Sequence, residues 1–306
     1  MRKTLSVVAL AAATALAMAG CGGGDNTTEE TGGGASTTGA QTTDTATTEA
    51  PEETTEAPEE TTPAAEVVTL KVGVSPVPQG DILQFIQDNL AAEAGLNLDI
   101  IEFQDYILPN TALNDGDLDG NYFQHQPYLD SQVEEYGYDF YAFPGVHIEP
   151  LGLYAGKSAS LDDIPDGAVI GVSNDPANQA RGLKLLESAG LFTLSTQDNP
   201  TIDDLADNPH NIQLIQVEPK LLATNLQDFD YAVINGNYAI DAGLSPANDA
   251  LVLESGENNP YANFLVVRSA DKDNPALVKL NELLHSPEVK QFITESWSDG
   301  SVIAAF

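Results

Sequence analysis

From Val68 onward the sequence switches between two hydrophobic periods, and that switching restricts the chain to a layered α/β architecture. Val68-Thr69-Leu70-Lys71-Val72-Gly73-Val74 alternates with the period of a strand. Pro76, Pro78 and Gly80 then read as a loop. Ile82, Phe85, Ile86 and Leu90 share one face of a helix expected over 81–90, with Asp81 as its cap and Gly95 beyond its end. Residues 96–103 alternate again, 107–113 fit a short helix, 114–117 a turn, and a third strand is expected from Leu118. A β-α-β-α-β order argues for a parallel sheet with crossover helices.

The pattern restarts after Leu151-Gly152-Leu153-Tyr154. Strands are expected over 168–172, 212–217, 231–234 and 263–268, with a further apolar run at 251–253. Helices are expected over 178–189, 220–226, 275–284 and 287–297. Residues 67–306 suffice for two such α/β lobes. Ligands of open α/β sheets bind outside the carboxyl ends of the strands. The segments 121–128, 174–181 and 235–237 all fall at such ends, which points to a cleft between the lobes.

The preceding residues differ in kind. Met1-Arg2-Lys3 is a short basic start, and residues 5–17 are apolar apart from Ser6 and Thr14. That run is shorter than the roughly 20 residues a membrane span needs, so 1–20 read as a signal peptide. It ends in Met18-Ala19-Gly20-Cys21, similar to a bacterial lipobox, in which the cysteine is lipidated and becomes the first mature residue. Cys21 is the only cysteine, which excludes an internal disulfide. The other reading is an ordinary signal peptide with an incidental cysteine. Residues 22–66 are Thr, Glu, Gly, Ala and Pro with almost no bulky apolar side chain, and read as an extended acidic tether. The expected location is extracytoplasmic, with acyl chains anchoring the protein to the cell membrane.

The formal net charge is -36. Loss of Arg2 and Lys3 with the signal peptide leaves -38, and the tether's eleven acids account for all but -27 of that. Nucleic acid and anionic lipid headgroups need basic patches, so neither is an expected partner. A small zwitterion is unaffected by this balance.

Asn121-Tyr122-Phe123-Gln124-His125-Gln126-Pro127-Tyr128-Leu129 packs three aromatics, an imidazole and three side-chain amides into nine residues, and Pro127 is expected to stop any regular element. Buried unpaired, such polar groups would cost roughly 1–3 kcal/mol each. The stretch reads as a pocket wall or, more plainly, as a strand end with a partly exposed aromatic cluster. Arg181 is one of nine bases from Val67 onward. It lies near a helix start and could grip a carboxylate bidentately, or pair with a surface acid. Asn235 and Asn237 flank Gly236 and offer acceptors and donors to a ligand, or ordinary turn chemistry. His125 could hydrogen-bond, stack or sit satisfied in a core. The run 115–120 imitates an EF-hand start, but Gln126 stands where the twelfth-position Glu belongs. His147, His210 and His285 lack metal-ligand spacing. No nucleophile-with-base motif is present, so an enzyme is not expected, nor is a metal or cofactor.

Residues 122–129, Val146-His147-Ile148-Glu149-Pro150-Leu151-Gly152-Leu153-Tyr154, Asn174-Asp175-Pro176-Ala177-Asn178-Gln179-Ala180-Arg181, Ala232-Val233-Ile234-Asn235-Gly236-Asn237-Tyr238-Ala239 and Pro260-Tyr261-Ala262-Asn263 together resemble the NlpA/MetQ lipoproteins. These are the methionine-binding components of bacterial ABC importers. The resemblance implies a two-lobed periplasmic-binding-protein fold of type II-like form, each lobe a mixed or parallel sheet flanked by helices, with the ligand cleft between. It implies one lobe from 67–148 plus 256–306 and another from 149–255, joined by two crossing strands. It also implies a monomer that hands methionine to a permease and its ATPase. Arg181 would grip the ligand carboxylate with Asn178 nearby, and Asn235 and Asn237 would hold the amino and carboxylate groups. Tyr106, Phe123, His125 and Tyr128 would surround the thioether. Gln79 departs from the family, since many relatives carry His there. Another small amino acid or a methionine-containing dipeptide is the alternative ligand.

Overall fold

The computed structural model describes residues 67–306. The expected signal peptide, Cys21 and the tether lie outside the described residues. Strand β1 (Val68–Val74) leads through a wide helical turn at Pro76–Gly80 into α1 (Asp81–Asn89), β2 (Leu96–Glu102), α2 (Leu108–Asp115), β3 (Gly120–His125), α3 (Gln126–Tyr136) and β4 (Phe140–Ile148). A second set follows: β5 (Gly152–Ala155), β6 (Val169–Ser173), α4 (Pro176–Ser188), β7 (Thr193–Leu194), β8 (Leu205–Asp207), β9 (Gln213–Val217), α5 (Pro219–Thr224), β10 (Tyr231–Ile234), α6 (Gly236–Asp241), α7 (Pro246–Asp249) and β11 (Ala250–Leu253). The chain then forms β12 (Ala262–Arg268), α8 (Pro275–Leu284), α9 (Pro287–Ser296) and β13 (Ile303–Ala304).

The strands build two main sheets. The first has the order β13-β4-β12-β3-β1-β2 and the second β11-β5-β10-β6-β9, while β7 and β8 form a separate pair. Both main sheets are mixed. β1 runs parallel to β2 and β3, whereas β12 runs antiparallel to β3 and β4. β6 runs parallel to β9 and β10, and β5 antiparallel to β10. The antiparallel half of the first sheet departs from the purely parallel arrangement that β-α-β order suggests, because β12 enters from the end of the chain instead of through a crossover helix.

Both faces of each sheet are covered, so the central strands read as continuous apolar runs. In β12, Leu265 and Val267 face a core with Leu83 and Ile86 of α1 and Leu277 and Leu280 of α8. Phe264 and Val266 face the opposite core, with Leu113 of α2 and Leu129 of α3. In β10, Tyr231 and Val233 pack with Leu183 and Leu186 of α4, and Ala232 and Ile234 with Leu222 of α5.

Three local expectations change. Pro127 does not end an element; it opens α3, occupying the first turn, where its missing N–H leaves no unmade bond. Helices α2, α4, α5, α7, α8 and α9 open on a proline in the same way. Asp81 is the first helical residue instead of the cap, and Gly80 holds the cap position without a side-chain bond. Asn235-Gly236-Asn237 is not a free turn but the start of α6.

Candidate ligand-binding site

The carboxyl ends of β3, β6 and β10 converge on one cavity. All eight residues singled out from the sequence line it: Tyr106, Phe123, His125, Tyr128, Asn178, Arg181, Asn235 and Asn237. Tyr106, Phe123, His125 and Tyr128 come from the side of the first sheet, Asn178, Arg181 and Asn237 from helices that follow strands of the second, and Asn235 from the cap of α6.

The aromatic side is a set of edge-on and tilted rings. Tyr106 lies 6.0 Å from Phe123, 5.7 Å from Tyr128 and 4.9 Å from Tyr238, centroid to centroid. Phe123 and Tyr128 meet edge to face at 6.0 Å. The polar ends are satisfied: Tyr128 donates to the Tyr106 carbonyl at 2.9 Å, and Tyr106 donates to Asn237 Oδ1 at 2.6 Å. The apolar ring bodies are thereby left to face the cavity.

His125 ends β3 and caps α3 with its own ring. Its Nδ1 accepts from Tyr128 N at 3.3 Å, so Nε2 carries the hydrogen and donates to Asn178 Oδ1 at 3.2 Å. Burial, reinforced by the Arg181 guanidinium, pushes the imidazole down to about 3, and the ring is neutral. Asn178 is oriented from behind. Asp175 caps α4 and takes both Asn178 N, at 2.8 Å, and Asn178 Nδ2, at 3.1 Å to the same oxygen. That turns Oδ1 toward its two donors, His125 and Asn235 Nδ2, the latter at 2.8 Å.

Arg181 is buried, and here the geometry corrects the expected two-pronged grip. Nε and Nη2 bind Glu254 side-on at 3.0 and 2.5 Å, and Nη2 also donates to the Glu149 carbonyl at 3.0 Å. The Tyr261 ring stacks 4.0 Å from the guanidinium carbon. Nη1 makes no hydrogen bond to any described residue, so it is the end available to a ligand.

Sequence reasoning assigned no role in the site to Glu149. It is buried, lines the cavity, and its Oε1 accepts from Gln79 Nε2 at 2.6 Å and His147 Nε2 at 2.8 Å. Tyr122 donates to His147 Nδ1 behind it, which fixes the tautomer. Oε2 has no partner among the described residues. Gly236 lies against Glu149, and a Cβ there would sit 2.8 Å from Glu149 Cβ, so only glycine lets α6 approach. Gln79, in the first loop, thus orients an acid that borders the cavity. Elsewhere, Asp119 of the EF-hand-like run accepts from Lys71 N at 2.8 Å, a structural use of that carboxylate.

Residues 70–306 match the NlpA lipoprotein family. The chain is 39% identical over 238 residues to the methionine-binding lipoprotein MetQ of Bacillus subtilis, covering 76% of this chain and 86% of that protein. Its fold matches the structure of a nutrient-binding protein from Burkholderia cenocepacia bound to methionine, with 43% identity, a TM-score of 0.74, and 78% and 100% of the two chains covered. It also matches a periplasmic substrate-binding protein of an ABC transporter from Coxiella burnetii, with 42% identity, a TM-score of 0.73, and 77% and 100% covered. With its two mixed α/β sheets and the cavity between them, the chain belongs to the NlpA lipoprotein family.

Proposed function

We propose that this protein is a lipid-anchored binding protein that captures methionine outside the cell membrane and delivers it to an ABC permease and its ATPase. The observation that carries the reading is the cavity's division of labour. A guanidinium end and a carboxylate oxygen, both without protein partners among the described residues, face a space walled on another side by aromatic rings. A zwitterion with an apolar sulfur-containing tail matches all three features, since thioethers pack favourably on ring edges at about 0.3–1.5 kcal/mol per contact.

In this reading Arg181 Nη1 takes the α-carboxylate and Glu149 Oε2 the α-ammonium, with Asn235 and Asn237 bonding to the same two groups. Tyr106, Phe123, His125 and Tyr128 receive the side chain, and Asn178 orients His125 and Asn235. The lobes are 67–148 with 256–306, and 149–255, and they close over the ligand. Cys21 carries the acyl anchor, and the acidic segment behind it lets the folded part reach the permease. Titration calorimetry tests the site. Wild type binds methionine, and Arg181→Ala weakens it at least about a hundredfold, because a buried carboxylate loses its charged partner. Unchanged affinity in that variant would reject the assignment.

A further inference from the structure

Most of the donors on Arg181 are already engaged inside the protein. Its side-on edge is occupied by Glu254 at 3.0 and 2.5 Å, and the remaining Nη2 hydrogen by the Glu149 carbonyl at 3.0 Å. Glu254 does not line the cavity; its carboxylate meets the guanidinium from behind. It is itself held in place, accepting from Leu151 N at 3.2 Å and Asn259 Nδ2 at 2.9 Å. The Arg181 charge is therefore matched before any ligand arrives. Glu149 then adds a carboxylate at the cavity wall, and His125 is neutral by its hydrogen-bond pattern. The formal count over Arg181, Glu254 and Glu149 is one positive against two negative charges. A ligand carrying only a carboxylate would bring a third negative charge into a buried site, where like charges are costly. A ligand that also carries an ammonium supplies the missing positive charge, opposite Glu149.

We propose that Glu254 is a specificity-determining residue. As the resident counter-ion of Arg181, it makes the site accept a carboxylate only from a ligand that brings its own ammonium. The inference rests on the reading of the cavity as an amino-acid site. It is tested by comparing methionine with its 2-oxo acid, which keeps the side chain and the carboxylate but lacks the ammonium. Calorimetry on the full-length protein, freed of ligand, gives the affinity ratio. In wild type the 2-oxo acid binds at least about a hundredfold more weakly than methionine. In Glu254→Gln the ratio narrows by about tenfold or more, with the 2-oxo acid gaining in absolute affinity, and Glu254→Asp keeps the wild-type ratio. If Glu254 only braces the fold, both ligands weaken together in Glu254→Gln and the ratio stays put, which overturns the proposal. Should Glu254→Gln melt without a cooperative transition, the ratio is read in Glu254→Ala with and without formate. Formate refilling the carboxylate position widens the ratio again, and indifference to formate overturns the proposal. A wild type that binds no methionine overturns the underlying reading and this inference together. A wild type that binds methionine while the ratio stays fixed across the variants overturns this inference alone.

Discussion

His125 does three things with one ring: it caps α3, orients Asn178 and forms part of the cavity wall. The cap requires the neutral form, because Nδ1 must accept, and burial holds the group down at about 3 against an unfolded value near 6.5. Below pH 6.5 the unfolded chain takes up a proton that the folded protein refuses. The stability this residue contributes is thus complete above 6.5 and is lost as the pH falls toward 3. Asp175 works in the other sense, since burial raises its carboxyl and its contribution is lost as the pH rises through the raised value. Comparing wild type with His125→Gln separates the two. Between pH 6.5 and 4 the wild-type unfolding free energy is expected to fall more steeply than the variant's, by at most about 1.4 kcal/mol per pH unit. Denaturant titrations at several pH values check this, and parallel curves would contradict it.

At the scale of elements, the site depends on how strands hand over to helices. α4 begins at Asp175, which caps the helix and fixes the Asn178 carboxamide at once. Asp175→Ala is expected to cost about 1 kcal/mol in urea unfolding for the lost cap. It should also weaken methionine binding, because the Asn178 amide is freed to rotate away from His125 and Asn235. A variant destabilised to that extent with unchanged affinity would show that the orientation does not matter. These handovers also mark where the sequence was legible. Strand ends were readable because runs such as Tyr231–Ile234 are short, apolar and followed by Asn or Asp. The helices beginning there were partly missed. Pro127 and Gly236 look like breakers in a one-dimensional reading, yet a first-turn proline fits a helix start and Gly236 is required by the nearness of Glu149. Nothing local in 104–106 announces that Tyr106 is a wall of the cavity; resemblance alone suggested it. That Glu254 occupies the edge of Arg181 could not be read at all, because the two are 73 residues apart and meet only in the folded chain.

Across the whole molecule, the two sheets meet through specific contacts around the cavity. Tyr106 reaches from the first-sheet side to Asn237 at the start of α6, and Tyr238 returns the contact by donating to the Gln104 carbonyl at 3.2 Å. Tyr106→Phe removes one such bond while keeping the ring. Ligand dissociation is expected to accelerate by about two- to tenfold, with little change in melting temperature, as a single neutral hydrogen bond implies. Stopped-flow release measurements check it, and an unchanged rate would place the contact outside the opening step. β12 lies between β3 and β4 in the middle of the first sheet, yet it is drawn from Ala262–Arg268. The strands made first therefore wait, unpaired along their inner edges, until synthesis is almost finished. A chain truncated after residue 261, which lacks β12 but keeps every strand of the second sheet, should give no protease-resistant fragment that includes β1 to β4. The same delay would keep the nascent polypeptide threadable through a secretion channel, so that the lobe nearest the amino terminus is sealed by nearly the last residues to cross.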